Sequence, residues 1–163
     1  GDAEADFVES GKTGKGILLV VADRKTRASF IERIITITID RVHKAFLRIK
    51  KRFPELKTIT TDNDILLQKH KELEQLLDIK MYFCHPYHSW EKGTIENTNK
   101  YIRRDIPKGS DISSYSGSFV KNVEKKLNRR IMECLYYRTP DEARKGVRRR
   151  RKTKRTRHRK QKP

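Results

Sequence analysis

The N-terminal part of the chain carries hydrophobic patterns that are typical of β-strands. In "AEADFVES" the side chains alternate, so that Glu4, Asp6 and Val8 would lie on one side of a strand and Ala5 and Phe7 on the other. The run "ILLVVAD" is continuously apolar, as in a fully buried strand, and "ASFIERI" resembles a third strand. Polar turns such as "GKTGKG" separate these runs, so the pattern predicts three antiparallel strands.

Helical and strand-like segments then alternate. In "TIDRVHKAFLRIKKRF", Ile39, Val42, Phe46 and Ile49 recur at helical spacing, and Pro54 ends the helix. The segment "KTITTD" (57–62) predicts a fourth strand, and "KMYFC" predicts a fifth. Between these two strands, "HKELEQLLD" predicts a short helix with three leucines on one face, namely Leu73, Leu76 and Leu77.

Three further helices are predicted in the second half of the chain. The loop "HPYHSWEKG" turns at Gly93 into a helix, and "SFVKNVEKKLNRRI" places apolar residues at four-residue steps. These four-residue steps are formed by Phe119, Val123, Leu127 and Ile131. Thr139 and Pro140 are expected to cap a last short helix that ends near Gly146. The order of elements predicts an α/β fold: a mixed five-stranded sheet with helices on both faces.

Charge adds a second feature, a strongly basic C-terminal tail. The chain has 163 residues, enough for one domain, and a formal net charge of +19. From Arg148 to the end there are 11 Lys and Arg residues and no acid. We therefore predict a folded core over 1–146 and a polybasic, disordered tail over 147–163 that binds nucleic acid. A membrane-surface role is less favoured, because no apolar residue follows Val147.

Cysteine usage favours a cytoplasmic protein. Cys84 and Cys134 do not form a disulfide framework, and no apolar run is long enough to span a membrane. Cys84, His85 and His88 lack a fourth ligand at suitable spacing, which argues against a zinc site. The sequence begins at Gly1 rather than Met, so we expect a fragment of a longer protein.

Three acids are candidates for one catalytic metal site. Asp6 lies in the first predicted strand, Asp62 ends the fourth, and Glu96 lies in the first turn of the helix after the fifth. If the first and fourth strands are neighbours, Asp6 and Asp62 can meet and the helix can bring Glu96 above them. Three hard oxygen ligands suit Mg²⁺ or Mn²⁺. Taken singly, each acid could instead be a solvated surface residue or a helix cap.

Three stretches resemble the catalytic core of insertion-sequence transposases of the IS thirty type. They are "ITTDN", "YFCHPYHSWEKGTIENTNKYIRRDIPKGSD" and "LNRR...YRTPDEA", and the resemblance runs from about residue 4 to 145. These transposases are DDE recombinases with a ribonuclease H-like fold, so the resemblance implies that fold here. It also implies that Asp6, Asp62 and Glu96 are the catalytic acids and metal ligands. The 33 residues between Asp62 and Glu96 match the family spacing.

The resemblance further implies the chemistry and the partners. Two Mg²⁺ or Mn²⁺ ions would serve hydrolysis at a transposon end, and the freed 3′-hydroxyl would then attack target DNA. It implies an oligomer on DNA, an upstream end-binding module, and a protein of the bacterial cytoplasm that is nucleoid-associated when bound to DNA. A non-catalytic, basic nucleic-acid-binding protein is the alternative. The residues expected to contact nucleic acid are Asn97, Asn99, Lys100, Arg103, Arg104, Arg148, Arg149, Arg150 and Arg151.

Several positions keep alternative interpretations. Ala3 stands where the family usually has Trp, and the family's "DNG" is replaced by "DND", which makes Asp64 a rival to Asp62. Asn97 and Asn99 are expected either to position phosphate or only to form local hydrogen bonds. Tyr87 and Trp90 could stack on a base, although anchoring of the loop is favoured. Asp2 and Glu4 are expected to be exposed on the strand face that carries Asp6.

Overall fold

A computed structural model of the protein describes residues 1–84 and 92–146. It contains one five-stranded sheet with the strand order β3-β2-β1-β4-β5. The first three strands are antiparallel neighbours, and β4 and β5 extend the sheet in parallel to β1. The strands are β1 (Asp2–Glu9), β2 (Ile17–Asp23), β3 (Ser29–Ile34), β4 (Thr58–Thr61) and β5 (Lys80–Phe83). This confirms the predicted mixed sheet.

Helices cover both faces of the sheet, as predicted. They are α1 (Ile39–Arg52), α2 (His70–Leu77), α3 (Gly93–Asp105), α4 (Gly117–Asn128) and α5 (Pro140–Arg144). One hydrophobic core joins α1 and α2 to the face of β1 that carries Ala3 and Ala5. A second core joins α3 and α4 to the opposite face, beneath Leu18 and Val20 of β2. All seven residues of β2 are buried because helices lie on both of its faces.

The predicted cap of α5 is observed, and so is most of the predicted face of α1. Val42, Phe46 and Ile49 are buried and Ile39 is half-buried, and Thr38 caps the first turn of α1 by accepting a hydrogen bond from the Arg41 amide. At α5, Thr139 and Glu142 form a reciprocal capping box, with Pro140 as the first helical residue. The local signals were sufficient here because each cap is contained within four residues of sequence.

The predicted faces of α2 and α4 are partly wrong. Leu73 and Leu77 are buried, but Leu76 is 51% exposed. In α4 the buried residues are Val120 and Val123, while Phe119 is 36% exposed and Ile131 lies beyond the helix end. A four-residue step advances about 400° around a helix, so residues at repeated four-residue steps drift around its surface. Only a short part of such a series can face the sheet.

Side chains from α4 cover the outer edge of β3. The Asn128 carboxamide exchanges two 2.8 Å hydrogen bonds with the backbone of Ser29, and the Glu124 carboxylate accepts from the amide of Ile31. Glu32 then forms ion pairs with cations from α1 and α4. These contacts occupy backbone groups that an edge strand otherwise leaves available for pairing with another chain.

No helix within residues 1–84 and 92–146 is long and apolar enough to cross a membrane. The loop residues His85, Tyr87, His88 and Trp90, and the tail from 147 onward, lie outside the described residues. The boundary between the core and a disordered tail stays a prediction.

Candidate active site

Asp6 and Asp62 come from neighbouring parallel strands. The strands β1 and β4 pair with Asp2 opposite Thr58 and Glu4 opposite Thr60. Asp6 lies two residues beyond Glu4, and Asp62 lies two residues beyond Thr60, so the two acids reach the same level of the sheet. The first and fourth strands are therefore neighbours, which was the condition for Asp6 and Asp62 to meet.

Lys92 connects the two carboxylates. Its Nζ lies 2.6 Å from Asp62 Oδ2 and 3.3 Å from Asp6 Oδ1. The lysine side chain is only 7% exposed, whereas that of Asp62 is 60% exposed. Burial alone lowers the pKa of Lys92, but the hydrogen bond to Asp62 and the charges of both acids outweigh burial and raise it. Lys92 is therefore an ammonium ion held by two carboxylates, a role that we did not predict.

Asn99 holds the other oxygen of Asp6. Its Nδ2 donates a hydrogen bond to Asp6 Oδ2 at 2.6 Å. Its Oδ1 is buried and has no hydrogen-bond partner in the part of the chain that the structure describes. The hydrogen bond to Asp6 joins residues 93 positions apart, so it is neither the local hydrogen bond nor the phosphate contact considered for Asn99. An unpaired buried carbonyl oxygen is unusual and leaves an acceptor available beside Asp6.

Glu96 is not grouped with Asp6 and Asp62. It is exposed in the first turn of α3, three residues before Asn99 and thus on a neighbouring part of the helix surface. Within residues 1–84 and 92–146, no three Asp, Glu, His or Cys side chains are grouped closely enough to hold a metal ion. The structure brings together Asp6 and Asp62 and leaves Glu96 outside the cluster.

The expectation that Glu4 is exposed is wrong. Glu4 is 3% exposed, its Oε2 accepts a 2.8 Å hydrogen bond from the Ile95 amide, and its Oε1 accepts one of 2.9 Å from Arg24. The N-terminus of α3 covers this strand face, and a carboxylate there satisfies a helix amide that Lys92, the N-cap residue, does not. Asp2 is exposed, as predicted. Strand alternation defines a face but does not tell which element packs on it.

Asp64 has a local role. Its Oδ1 accepts a 2.7 Å hydrogen bond from the Leu66 amide, which caps the short 3₁₀ turn Ile65–Leu67. Asp62, in contrast, directs its carboxylate to Lys92. Of the two rivals, Asp62 is the one that shares a cation with Asp6.

The predicted DNA-contacting residues of α3 divide into two groups. Asn97, Lys100 and Arg104 are exposed on its outer surface. Arg103 instead donates hydrogen bonds to the carbonyl oxygens of Glu9 and Pro107, at 3.0 and 3.4 Å, and thereby connects α3 to the end of β1. The predicted contacts Arg148, Arg149, Arg150 and Arg151 lie outside the described residues.

A cationic cleft of 960 Å³ lies on the flank of α3 away from Asn99. Arg24, Arg27 and Arg130 line it, together with the exposed ring of Tyr82. The guanidinium of Arg130 lies 3.4 Å from the centroid of the Tyr101 ring. Guanidinium groups bind phosphate and stack on planar rings, so the cleft has the chemistry to accept a nucleic-acid strand.

The residues beside β1 and β4 fit a hard divalent cation. Asp6 and Asp62 already share one cationic group, and Asn99 is hydrogen-bonded to Asp6 through its Nδ2. Carboxylate oxygens are the ligands that Mg²⁺ and Mn²⁺ prefer. Two of the three acids expected from the sequence, Asp6 and Asp62, are therefore together in the structure, and Glu96 is not grouped with them.

Comparison with known proteins places the chain among insertion-sequence transposases. It is 43% identical over 145 residues to the transposase for insertion sequence element IS4351 of Bacteroides fragilis, covering 87% of this chain and 44% of that protein. It is 33% identical over 146 residues to transposase InsI for insertion sequence element IS30A of Escherichia coli (strain K12), covering 87% of this chain and 37% of that protein. The chain thus spans less than half the length of these relatives. No family model matches it.

The fold is shared with retroviral integrase structures. A simian T-cell lymphotropic virus intasome in complex with the PP2A regulatory subunit B56 gamma superposes with a TM-score of 0.72 at 16% identity, covering 86% of this chain and 52% of that chain. The HTLV-2 integrase catalytic core domain in complex with magnesium superposes with a TM-score of 0.67 at 19% identity, covering 86% of this chain and 93% of that chain. Over the region it shares with its relatives, the chain belongs to the insertion-sequence transposases of the IS30 type and has the ribonuclease H-like fold of integrase catalytic cores.

Proposed function

We propose that the chain is the catalytic core of a DNA transposase, which cleaves DNA at transposon ends and transfers the cut strand to a target. The observation that carries the proposal is the meeting of Asp6, in β1, and Asp62, directly after the parallel strand β4, around one cation. The relatives are named as transposases, which supports the same assignment. Because the chain spans only part of their length, the activity of the whole protein is part of this proposal.

Asp6, Asp62 and Glu96 would hold the metal ions. Two Mg²⁺ or Mn²⁺ ions, when bound, would stabilise charge on the attacking and leaving oxygens of an in-line displacement at phosphorus. Asp6 is held by β1, Asp62 directly follows β4, and Asn99 orients Asp6 through its hydrogen bond. Glu96 is carried by the first turn of α3, whose position is fixed by Glu4.

The reaction would proceed in two displacements at this site. Water would first attack a phosphodiester at the transposon end, so that one P–O bond forms, another breaks, and a 3′-hydroxyl is released. That hydroxyl would then attack a phosphodiester of the target, and a target 3′-oxygen would leave. Neither step requires a covalent protein intermediate, which agrees with a site made of carboxylates and amides.

DNA would lie across the outer surface of α3. Lys100 and Arg104 are exposed there and would contact backbone phosphates, while the cleft lined by Arg27 and Arg130 would receive the strand on the far flank. The basic residues from Arg148 onward would add contacts that do not depend on sequence. We also infer an oligomer on DNA and a protein that acts in the cytoplasm, on the nucleoid.

Single-turnover cleavage of a transposon-end duplex tests the proposal. Asp6→Asn, Asp62→Asn and Glu96→Gln are each expected to abolish Mg²⁺-dependent cleavage and strand transfer while leaving DNA affinity nearly unchanged. Asp78→Asn, an exposed acid at the end of α2, serves as the matched control and should retain activity. The assay is also carried out on the full-length protein that contains this core. If that protein binds DNA but does not cleave it with Mg²⁺ or Mn²⁺, the non-catalytic alternative is favoured.

A further inference from the structure

The cation between Asp6 and Asp62 belongs to the protein itself. The Lys92 ammonium lies within 3.3 Å of both carboxylates, and its side chain is almost completely buried. Lys92 is the N-cap residue of α3, and its ammonium, which can only donate hydrogen bonds, does not cap the helix amides. Its described side-chain contacts are therefore directed at the two acids that the proposed function assigns to metal binding.

We propose that Lys92 is a built-in counter-cation that competes with the divalent metal for Asp6 and Asp62, so that metal binding requires its ammonium to leave. This inference rests on the proposed function, because it takes those two acids as metal ligands. It adds a residue whose role is to hold the metal-free site together and to set the affinity for metal.

Electrostatic repulsion prevents the Lys92 ammonium and a divalent metal ion from binding Asp6 and Asp62 at the same time. Two carboxylates this close repel each other, and one ammonium compensates only part of their charge. A divalent ion bound between Asp6 and Asp62 would take the place of the Lys92 ammonium, which lies 2.6 Å from Asp62 Oδ2, and its charge would repel that ammonium. The apparent metal affinity is then the intrinsic affinity multiplied by the fraction of molecules in which Lys92 has left the site.

The position of Lys92 permits the exchange. Its backbone precedes the first residue of α3, so the side chain can leave the acids without unfolding the helix. Loss of the Lys92 charge would also affect the metal-free protein. The negative charges of Asp6 and Asp62 would then repel each other with no cation between them, which lowers the stability of the metal-free protein.

Calorimetric titration with Mn²⁺ tests the competition. Lys92→Met keeps much of the aliphatic stem and removes the charge, and it is expected to bind Mn²⁺ about tenfold more tightly than wild type. Lys92→Arg, which keeps the charge, should bind no more tightly than wild type. Lys71→Met, at an exposed lysine of α2, is the matched control and should leave the affinity unchanged. In EDTA, Lys92→Met should melt at a lower temperature than wild type.

A second measurement uses the unmodified protein. In protein labelled with ¹³C at lysine Cε, the Lys92 resonance, assigned from Lys92→Arg, should shift when Mg²⁺ saturates the site. The Lys71 resonance should not shift. An unmoved Lys92 resonance at saturation, or a Lys92→Met variant that binds Mn²⁺ no more tightly than wild type, would overturn the inference.

The outcomes separate this inference from the proposed function. If Asp6→Asn and Asp62→Asn abolish Mn²⁺ binding but Lys92→Met does not strengthen it, the metal site stands and the competition is rejected. If neither wild type nor Lys92→Met binds Mn²⁺, both the metal site and the competition by Lys92 are rejected. If only Lys92→Met binds it, the competition is supported directly.

Discussion

Asn99 Nδ2 lies 2.6 Å from Asp6 Oδ2, so that helix α3 is hydrogen-bonded directly to the central strand at a proposed metal ligand. The bond fixes one oxygen of Asp6 while the other faces Lys92. Groups that orient a metal ligand in this way affect the metal without touching it. Asn99 is therefore expected to act as a positioning residue for Asp6.

Asn99→Ala is expected to lower Mg²⁺ affinity and single-turnover cleavage by about 10- to 100-fold, the usual cost of removing such a partner. Asn122→Ala, at an exposed asparagine of α4, is the control and should leave both unchanged. Metal titration and cleavage of an end duplex are measured on the same preparations. Wild-type metal affinity in Asn99→Ala would show that the hydrogen bond does not serve the metal site.

Glu4→Ala is expected to destabilise the fold by about 1–3 kcal/mol, because it leaves the buried Ile95 amide and the Arg24 guanidinium without this acceptor. Glu4→Gln should lose less, since its amide oxygen can still accept from Ile95. Urea denaturation at neutral pH measures the free energy of unfolding. Glu9→Ala, at an exposed acid of the same strand, provides the comparison, and equal losses at both positions would contradict a special role for Glu4.

Deletion of residues 148–163 is expected to weaken binding to all DNA sequences alike and to flatten the dependence of log K on log salt. The segment contains 11 Lys and Arg residues, and removing one lysine or arginine that neutralises a phosphate reduces the slope by about 0.9. Fluorescence anisotropy over a salt series measures the slope. An unchanged slope would show that the tail does not bind DNA.

Local sequence patterns predicted the sheet well. The alternation around Asp6 and the continuous apolar run of β2 are each sufficient to specify a strand, and the predicted fourth strand (57–62) is observed as Thr58–Thr61. With these strands adjacent, the meeting of Asp6 and Asp62 followed from the topology alone. The regular elements were predictable because their signals lie within a few residues.

The errors concern contacts between distant parts of the chain. The burial of Glu4 depends on α3, which begins 89 residues later, and no pattern within β1 indicates it. Lys92 could not be distinguished from the other cations, because the chain has 40 Lys and Arg residues and its role depends on two acids from other elements. The burial of Glu4 and the contacts of Lys92 both depend on tertiary packing.

Asp64→Asn is expected to retain at least a tenth of wild-type strand transfer, a loss of no more than about 1.4 kcal/mol in the activation barrier. Its carboxylate caps a 3₁₀ turn, and the oxygen of Asn can accept the same bond from Leu66. Asp62→Asn should fall to background, because Asp62 shares a cation with Asp6. Single-turnover cleavage with Mg²⁺ and with Mn²⁺ distinguishes them, and the reverse order of activity would place the second catalytic acid at Asp64.

The ion pairs of Glu32 predict how the stability responds to acid. Burial by itself raises the pKa of Glu32, but hydrogen bonds from Arg48 and Lys121, with the charges of Lys121 and Arg52, outweigh it and hold the pKa below the ordinary value of 4.5. The folded state therefore releases the proton more readily than the unfolded state. This contribution to stability is complete above pH 4.5 and is lost as the pH falls through the lower, folded-state pKa.

Glu32→Gln should accordingly be less stable than wild type at neutral pH, and the difference should shrink as the pH falls below 4.5. The neutral amide cannot pair with the three cations from α1 and α4, so α4 is held less firmly over the edge of β3. Urea denaturation between pH 3 and pH 7 measures the free energy of unfolding of both proteins. Glu133→Gln, at an exposed acid, should parallel wild type throughout. A difference between Glu32→Gln and wild type that stays constant across this range would show that the ionisation of Glu32 does not contribute to stability.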